Sequence, residues 1–323
     1  MSDVIARRFR RFADLEAKGH SALYEALAVG VSEDRAILDF LSELPEAKQQ
    51  PNLLLAALRF VCGTPTDWPD FVAGFHERKS EIRDRILRCR TQTNEPARCA
   101  VLLPVFAQPR RDLALIEAGA SAGLCLLPDR YGYHYDGHAP FGPEPRFPCR
   151  ATAATPVPAA HPSVVWRAGL DLNPLDARNA DDMAWLEALV WPDQPSRIQR
   201  LRAAIAVAQA DPPRLVMGNL LTDLPALAAE APRDAALVIY HTAVLAYVAD
   251  PAARARFVRT VTDLNAIWIS NEVPGVFPEI AAKVSVARPT GAFLLAVNGE
   301  PVAWTDPHGA WIDWFADPCI LPP

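Results

Sequence analysis

This sequence predicts an α/β fold, a mostly parallel sheet preceded by a helical region, and three features carry that expectation. Residues 2 to about 107 show helical periodicity and no convincing strand. From residue 113 onward, apolar runs of strand length recur with helical stretches between them, several ending in an acid or amide ahead of a turn. Near the end, two apolar runs flank Asn298-Gly299, the dipeptide of a tight hairpin. With 323 residues, 50% of them apolar, the chain can bury a full core, as a helical region over 1–107 and a sheet domain over 108–323 with an insertion near 137–162.

Residues 1–20 set Arg7, Arg8, Arg10 and Arg11 among Val4, Ile5, Phe9, Phe12 and Leu15, the pattern of an amphipathic surface helix. No uninterrupted apolar core marks a signal peptide, and Asp3, Asp14 and Glu16 speak against a transit peptide. Ser32 is placed to cap a helix whose apolar face is Ile37, Leu38, Leu41 and Leu44, ended by Pro45. Pro51 and Asn52 open a leucine-dense helix through Cys62, and 77–90 reads as a charged surface helix carrying Ile82, Ile86 and Leu87 on one face. Asn94, ahead of Glu95 and Pro96, reads as the N-cap of a helix over 99–106. The rival reading places Gln92, Asn94, Glu95 and Arg98 over the mouth of the following sheet.

The second half is organised around 113–127. Residues 113–118 suit a buried parallel strand, Gly119, Ala120, Ser121, Ala122 and Gly123 allow a sharp turn close to a ligand, and the apolar residues after them predict a helix. Glu117 is the anomaly, because a carboxylate at the end of a buried strand is costly unless satisfied, and open α/β sheets bind ligands outside that end. A glycine-rich turn with no ligand is the plainer alternative.

Residues 131–135 alternate as an exposed strand would, finishing at Asp136, and 137–162 are Pro-rich and irregular, reading as an insertion or a hairpin on the sheet. His134, Asp136 and His138 cluster there, but no third soft ligand follows at a usual spacing, so no metal site is expected. Residues 164–174 read as strand, acid and turn with Asp171 at the end, and 181–210 are helical. A strand over 214–217 leads to Gly218-Asn219, one over 235–240 runs into His241-Thr242, and one over 266–270 into Asn271-Glu272.

Glu117-x-Gly119-x-Ser121-x-Gly123 resembles the first motif of class I S-adenosylmethionine-dependent methyltransferases, with Ser121 where that family has a middle glycine. The resemblance covers roughly 106–323 and implies a Rossmann-like sheet closed by a C-terminal antiparallel strand, with S-adenosyl-L-methionine as cofactor. In that family a carboxylate after the second strand holds the ribose hydroxyls. Asp171, within Gly169-x-Asp171-x-x-Pro174, resembles it, and Asp136, nearer to Glu117 in sequence, is the alternative. Asn219 stands where the family has an aspartate facing the adenine amino group. His241 falls where this architecture faces the substrate and is the candidate general base. The acceptor implied is a small molecule or a protein. Through Gln92-Thr-Asn-Glu95, the motif at 117–124 and 169–174, the whole chain is also similar to an uncharacterised bacterial family with a methyltransferase-like half.

Two other functions stay open. Gly119-x-Ser121-x-Gly123 resembles the nucleophile elbow of α/β-hydrolases, with Ser121 as nucleophile and Asp263 and His308 available to complete a triad, although that fold needs strands before the elbow that 1–107 do not supply. A cofactor-binding protein without catalysis is the third reading. The formal net charge of -6 supplies no polycation for a phosphate backbone, so nucleic acid is not an expected partner. The longest apolar segment, 237–249, is too short to span a bilayer. Six cysteines without a CxxC pair read as reduced thiols of a cytoplasmic protein, and oligomeric state leaves no mark in the sequence.

Overall fold

The computed structural model describes residues 2–317, which fall into two compact units. One comprises the residues up to Thr93 together with Asn179–Gln199, the other Asn94–Arg178 and the residues from Arg200 on.

The first unit is helical: Ser2–Phe12, Ala22–Glu33, Arg35–Ser42, Pro51–Cys62, Trp68–Glu77, Lys79–Arg88 and Ala180–Leu189. Local chemistry shifts two of the expected boundaries. Asp34, rather than Ser32, caps Arg35–Ser42, its carboxylate accepting the Ile37 amide at 3.0 Å, while Ser32 donates to the Val29 carbonyl inside the preceding helix. The charged stretch expected over 77–90 starts at Lys79, because Arg78 leaves the helical region at φ -116°. The returning helix Ala180–Leu189 is tied in by a fork of Arg85 on Asp181 at 2.8 and 3.0 Å and by Trp185 donating to the Arg90 carbonyl.

The second unit holds a ten-stranded sheet. In chain order its strands are β1 (Leu113–Ala118), β2 (Gly132–Tyr135), β3 (Arg146–Ala151), β4 (Val164–Asp171) and β5 (Arg214–Met217), then β6 (Ala236–Thr242), β7 (Ile267–Glu272), β8 (Phe293–Val297), β9 (Glu300–Thr305) and β10 (Trp311–Trp314). The spatial order is β2-β3-β10-β9-β8-β7-β6-β1-β4-β5, parallel except for β7–β8, β8–β9 and β9–β10. All six residues of β1 are buried, as expected of a central strand covered on both faces. Ile116, Ala118, Leu170, Ile239 and Trp268 pack on one face against Leu227, Phe257 and Ile280 from three helices. Glu117 and Tyr240, paired in register, point to the opposite face, where Phe106 of helix Cys99–Phe106 meets the Tyr240 ring edge-on at 5.1 Å. The hairpin β8–β9 turns on Asn298 and Gly299, both at positive φ, as a two-residue primed turn requires.

Two expectations for this unit are corrected. No helix follows the turn after β1: the chain makes only the 3-10 turns Leu124–Leu126 and Pro128–Arg130, because Pro128 disfavours the α conformation at Leu127, which sits at φ -111°, ψ 38°. The Pro-rich segment lies on the sheet through β3, which pairs parallel with β2 and β10 instead of forming a hairpin, its residues alternating exposed and buried.

Candidate functional site

β1 lies between β4 and β6, with β5 outside β4 on one side and β7 outside β6 on the other, so the strand order reverses beside β1. The crevice of such a sheet lies outside the carboxyl ends of these strands. Glu117 sits there, 2% exposed, with Oε2 lacking any partner. Burial pushes its carboxyl well above the ordinary range, the Cys125 thiol and Asp171 add to that, and the Arg98 guanidinium opposes it.

The turn after β1 is built from its own chain. Gly119 and Ala120 donate to the Leu170 carbonyl, Ser121 donates its amide to Asp171 Oδ2 at 2.8 Å, and Leu124 donates to Asn94 Oδ1 at 2.9 Å. Asp171 Oδ1 accepts the Asn173 amide, so one carboxylate joins the turns after β1 and β4. Ser121 holds φ 52°, a conformation costly for a residue with a Cβ, and its Oγ is buried without a partner. A Cβ on Gly119 would lie 2.4 Å from Val244 Cγ2, so here the glycine admits the turn after β6 against the turn after β1.

A second layer closes the face that carries Glu117. Arg98, 4% exposed, donates to the Pro307 carbonyl at 2.8 Å and to the carbonyl and hydroxyl of Thr242 at 3.3 and 3.2 Å. Glu95 caps its own 3-10 turn and forms an ion pair with Arg200 at 3.6 Å. Asn271, beside Thr242 in register, accepts the Thr305 hydroxyl at 2.7 Å, and its Nδ2 is buried without a partner.

On the other face, Glu272 Oε1 accepts from three donors: His241 Nδ1 at 2.7 Å, the Val244 amide at 2.8 Å and the Leu245 amide at 3.0 Å. Trp268 Nε1 donates to His241 Nε2 at 3.0 Å, which assigns the ring proton to Nδ1, since an indole nitrogen only donates. Glu272 Oε2 is buried without a partner, and a cavity of about 10 Å³ lined in part by Ser270, Glu272 and Phe277 has room for one water. Glu117 Oε2, Ser121 Oγ, Asn271 Nδ2 and Glu272 Oε2 thus form a concentration of unpartnered buried polar atoms at one edge of one sheet. A larger concavity of about 430 Å³ in the helical unit, lined in part by Phe40, Glu43, His76 and Arg83, shows no such concentration, and Arg83 there is paired with Glu43.

The model of a family described as an uncharacterized protein conserved in bacteria, DUF2332, matches residues 6–314. The chain belongs to that family. It matches no curated protein and no solved structure.

Within this DUF2332 chain, the sequence-predicted residues Glu117, Gly119, Ser121, Gly123 and Asp171 come together at the ends of β1 and β4. Asp136 does not: it is exposed in the turn after β2, at the opposite end of the strand order from β4, so Asp171 is the carboxylate adjoining the β1 turn. Asn219 is exposed after β5, and its amide oxygen accepts the Leu221 amide in a local turn. His241 does not look into the crevice. Its ring is fully buried, both nitrogens are bonded, and Phe257, Trp268 and Phe277 surround it, because strand alternation sends it to the face opposite Tyr240 and Thr242. The serine-hydrolase triad is not assembled, since Asp263 ends the helix Pro251–Asp263 that leads into the amino end of β7, whereas Ser121 follows the carboxyl end of β1. Among the described residues no group of three or more His, Cys, Asp or Glu side chains is placed to hold a metal ion, His134, Asp136 and His138 included.

Cys62, Cys89, Cys99, Cys125 and Cys149 are free, and Cys319 lies outside the described residues. Cys125 is raised above the ordinary thiol range by its hydrogen bond with Cys99 and by burial, the setting of an unreactive thiol. No helix among the described residues is long and apolar enough to cross a membrane. In the sequence, Arg98 and Asn94 are visible as site residues only as a rival to capping, and Asn271, Glu272 and Thr305 carry no motif. The available signal was two polar residues, Asn271-Glu272, closing an apolar strand beside another that closes with His241-Thr242.

Proposed function

We propose that this protein binds S-adenosyl-L-methionine and is a class I methyltransferase-type enzyme, with Glu117 at the centre of its ligand site. The observation that carries the reading is the buried Glu117 carboxyl with its unpartnered Oε2 at the switch point of a largely parallel sheet. The order β5-β4-β1-β6-β7, with antiparallel β8 beside β7, agrees with the Rossmann-like plan that the resemblance implies.

The residues present fit the cofactor at two points. Glu117 Oε2 is free to accept from an ammonium group, and binding would return the carboxylate toward its charged form. Asp171 is half-buried, and each of its oxygens, already holding one backbone amide, keeps acceptor capacity for a ribose hydroxyl. When bound, the cofactor supplies an electrophilic methyl group on a sulfonium. The chain's own part is to hold that group at a fixed crevice and keep water from it. With both nitrogens of His241 engaged, the imidazole braces the turn after β6 through Glu272 and takes no proton from the acceptor.

Titration calorimetry with S-adenosylmethionine and S-adenosylhomocysteine on the full chain tests this. Binding to the wild type that weakens at least tenfold in Glu117→Ala supports the reading. An absence of heat with both ligands, or equal affinity in the variant, overturns it.

A further inference from the structure

We propose that the same crevice takes an organic acid beside the cofactor, its carboxylate lying between the Arg98 guanidinium and the Asn271 amide. This rests on the reading that the carboxyl ends of β1, β6 and β7 hold ligands, and it names the chemistry of what is bound there.

Arg98 is buried, yet every hydrogen bond it makes goes to a neutral oxygen, at Pro307 and Thr242. A guanidinium taken out of water calls for an anion or leaves an uncompensated charge. Asn271 is wholly buried, and the Thr305 hydroxyl occupies its Oδ1, which leaves Nδ2 as an unpartnered donor. The register brings these donors together. Thr242 and Asn271 are paired on adjacent strands, their side chains on one face and their backbones about 4.8 Å apart. Arg98 donates to Thr242 Oγ1, so the guanidinium is held at the residue paired with Asn271, on the face that carries the Asn271 amide.

A carboxylate has two oxygens for two such donors. One guanidinium and one amide match a monoanion better than a phosphate dianion, which asks for more donors. A cofactor ammonium at Glu117 would pair that carboxylate and leave the Arg98 guanidinium for the carboxylate of the acid. At the same edge, Tyr247 and Val273, on the segments after β6 and β7, are 72% and 37% exposed and offer apolar surface to the body of an acid.

Thermal shift of the full chain at constant ionic strength, with acetate, benzoate and phenylacetate against the uncharged isostere benzamide, tests the proposal. Benzoate or phenylacetate is expected to raise the melting temperature in a saturable way where benzamide does not, and Asn271→Asp, which sets a negative charge beside Arg98, is expected to abolish the response. If Asn271→Asp loses its native circular dichroism, Thr305→Val is used instead. It leaves Asn271 in place without the hydroxyl that orients it, and is expected to weaken the carboxylate response. Equal shifts with benzoate and benzamide, no shift with any of the three carboxylates, or an unchanged response in the folded variant would overturn the proposal. Calorimetry with S-adenosylmethionine on the same samples separates the two ideas. A carboxylate response without cofactor binding keeps the acid site and removes the cofactor, whereas cofactor binding without a carboxylate response removes the acid site alone.

Discussion

Gly119 and Glu117 are two residues apart, and each makes a measurable demand. The Gly119 position is closed by Val244 and held at φ 77°, so Gly119→Ala combines a steric clash with a left-handed backbone. It should destabilise by about 2–4 kcal/mol from overpacking and backbone strain together. Trimming the partner should recover part of that, so a denaturant cycle of Gly119→Ala with Val244→Ala is expected to show a coupling of at least about 1 kcal/mol. Additivity would mean that the two turns do not meet. For Glu117 the sign follows from its direction of shift. A carboxyl raised in the folded state binds its proton more tightly there than in the unfolded chain, so its contribution is fully present below the ordinary carboxyl value of 4.5 and is lost as pH rises through the folded pKa. In the ligand-free protein, Glu117→Gln should therefore flatten the fall in stability above pH 4.5, and urea denaturation at several pH values would show the wild-type and variant curves diverging upward in pH. Parallel curves would contradict the burial of that charge. At this scale the sequence was legible where chemistry was out of place, as with an acid closing an apolar strand at Glu117. It was silent where a side chain's face mattered: His241 looked like a crevice residue until alternation sent its ring to the other side.

At the scale of elements, two carboxylates act as splints between turns. Asp171 bonds the amides of Ser121 and Asn173, so Asp171→Ala should cost about 1–3 kcal/mol, and Asp171→Asn less, because one amide oxygen can still serve one of the two donors. Glu272 gathers His241 and the amides of Val244 and Leu245. His241→Phe leaves the Trp268 indole N–H without its acceptor, and should lower stability by about 1–3 kcal/mol as read by thermal and urea melts. A variant as stable as the wild type would show that the imidazole is not a brace. The central strands were readable because a buried parallel strand is a short apolar run bounded by turn residues, as in β1, β6 and β7, and Asn298-Gly299 marked the hairpin. β3 was hidden by Pro148 in its middle despite the alternation of Phe147 and Cys149 with exposed neighbours. The helix expected after Gly123 failed for a related reason, a proline five residues on that the apolar run concealed.

At the scale of the molecule, an α/β sheet and a helical unit followed from periodicity, whereas the membership of Asn179–Gln199 in the helical unit did not. Those residues read as an ordinary crossover, and only contacts such as Arg85–Asp181 recruit them. The same limit applies to the site. The motif at 117–123 was visible as a local pattern, but Arg98, Thr242, Asn271 and Thr305 come from distant segments that meet only through strand register. The central claim is that ligand binds at the carboxyl ends of β1, β4 and β6. Hydrogen exchange of the full chain with and without saturating S-adenosylhomocysteine tests it most directly. The expected result is slowed exchange confined to the turns at 118–124, 171–175 and 242–247. Slowing that appears instead in the helices before Thr93, or exchange identical in both samples, would contradict it.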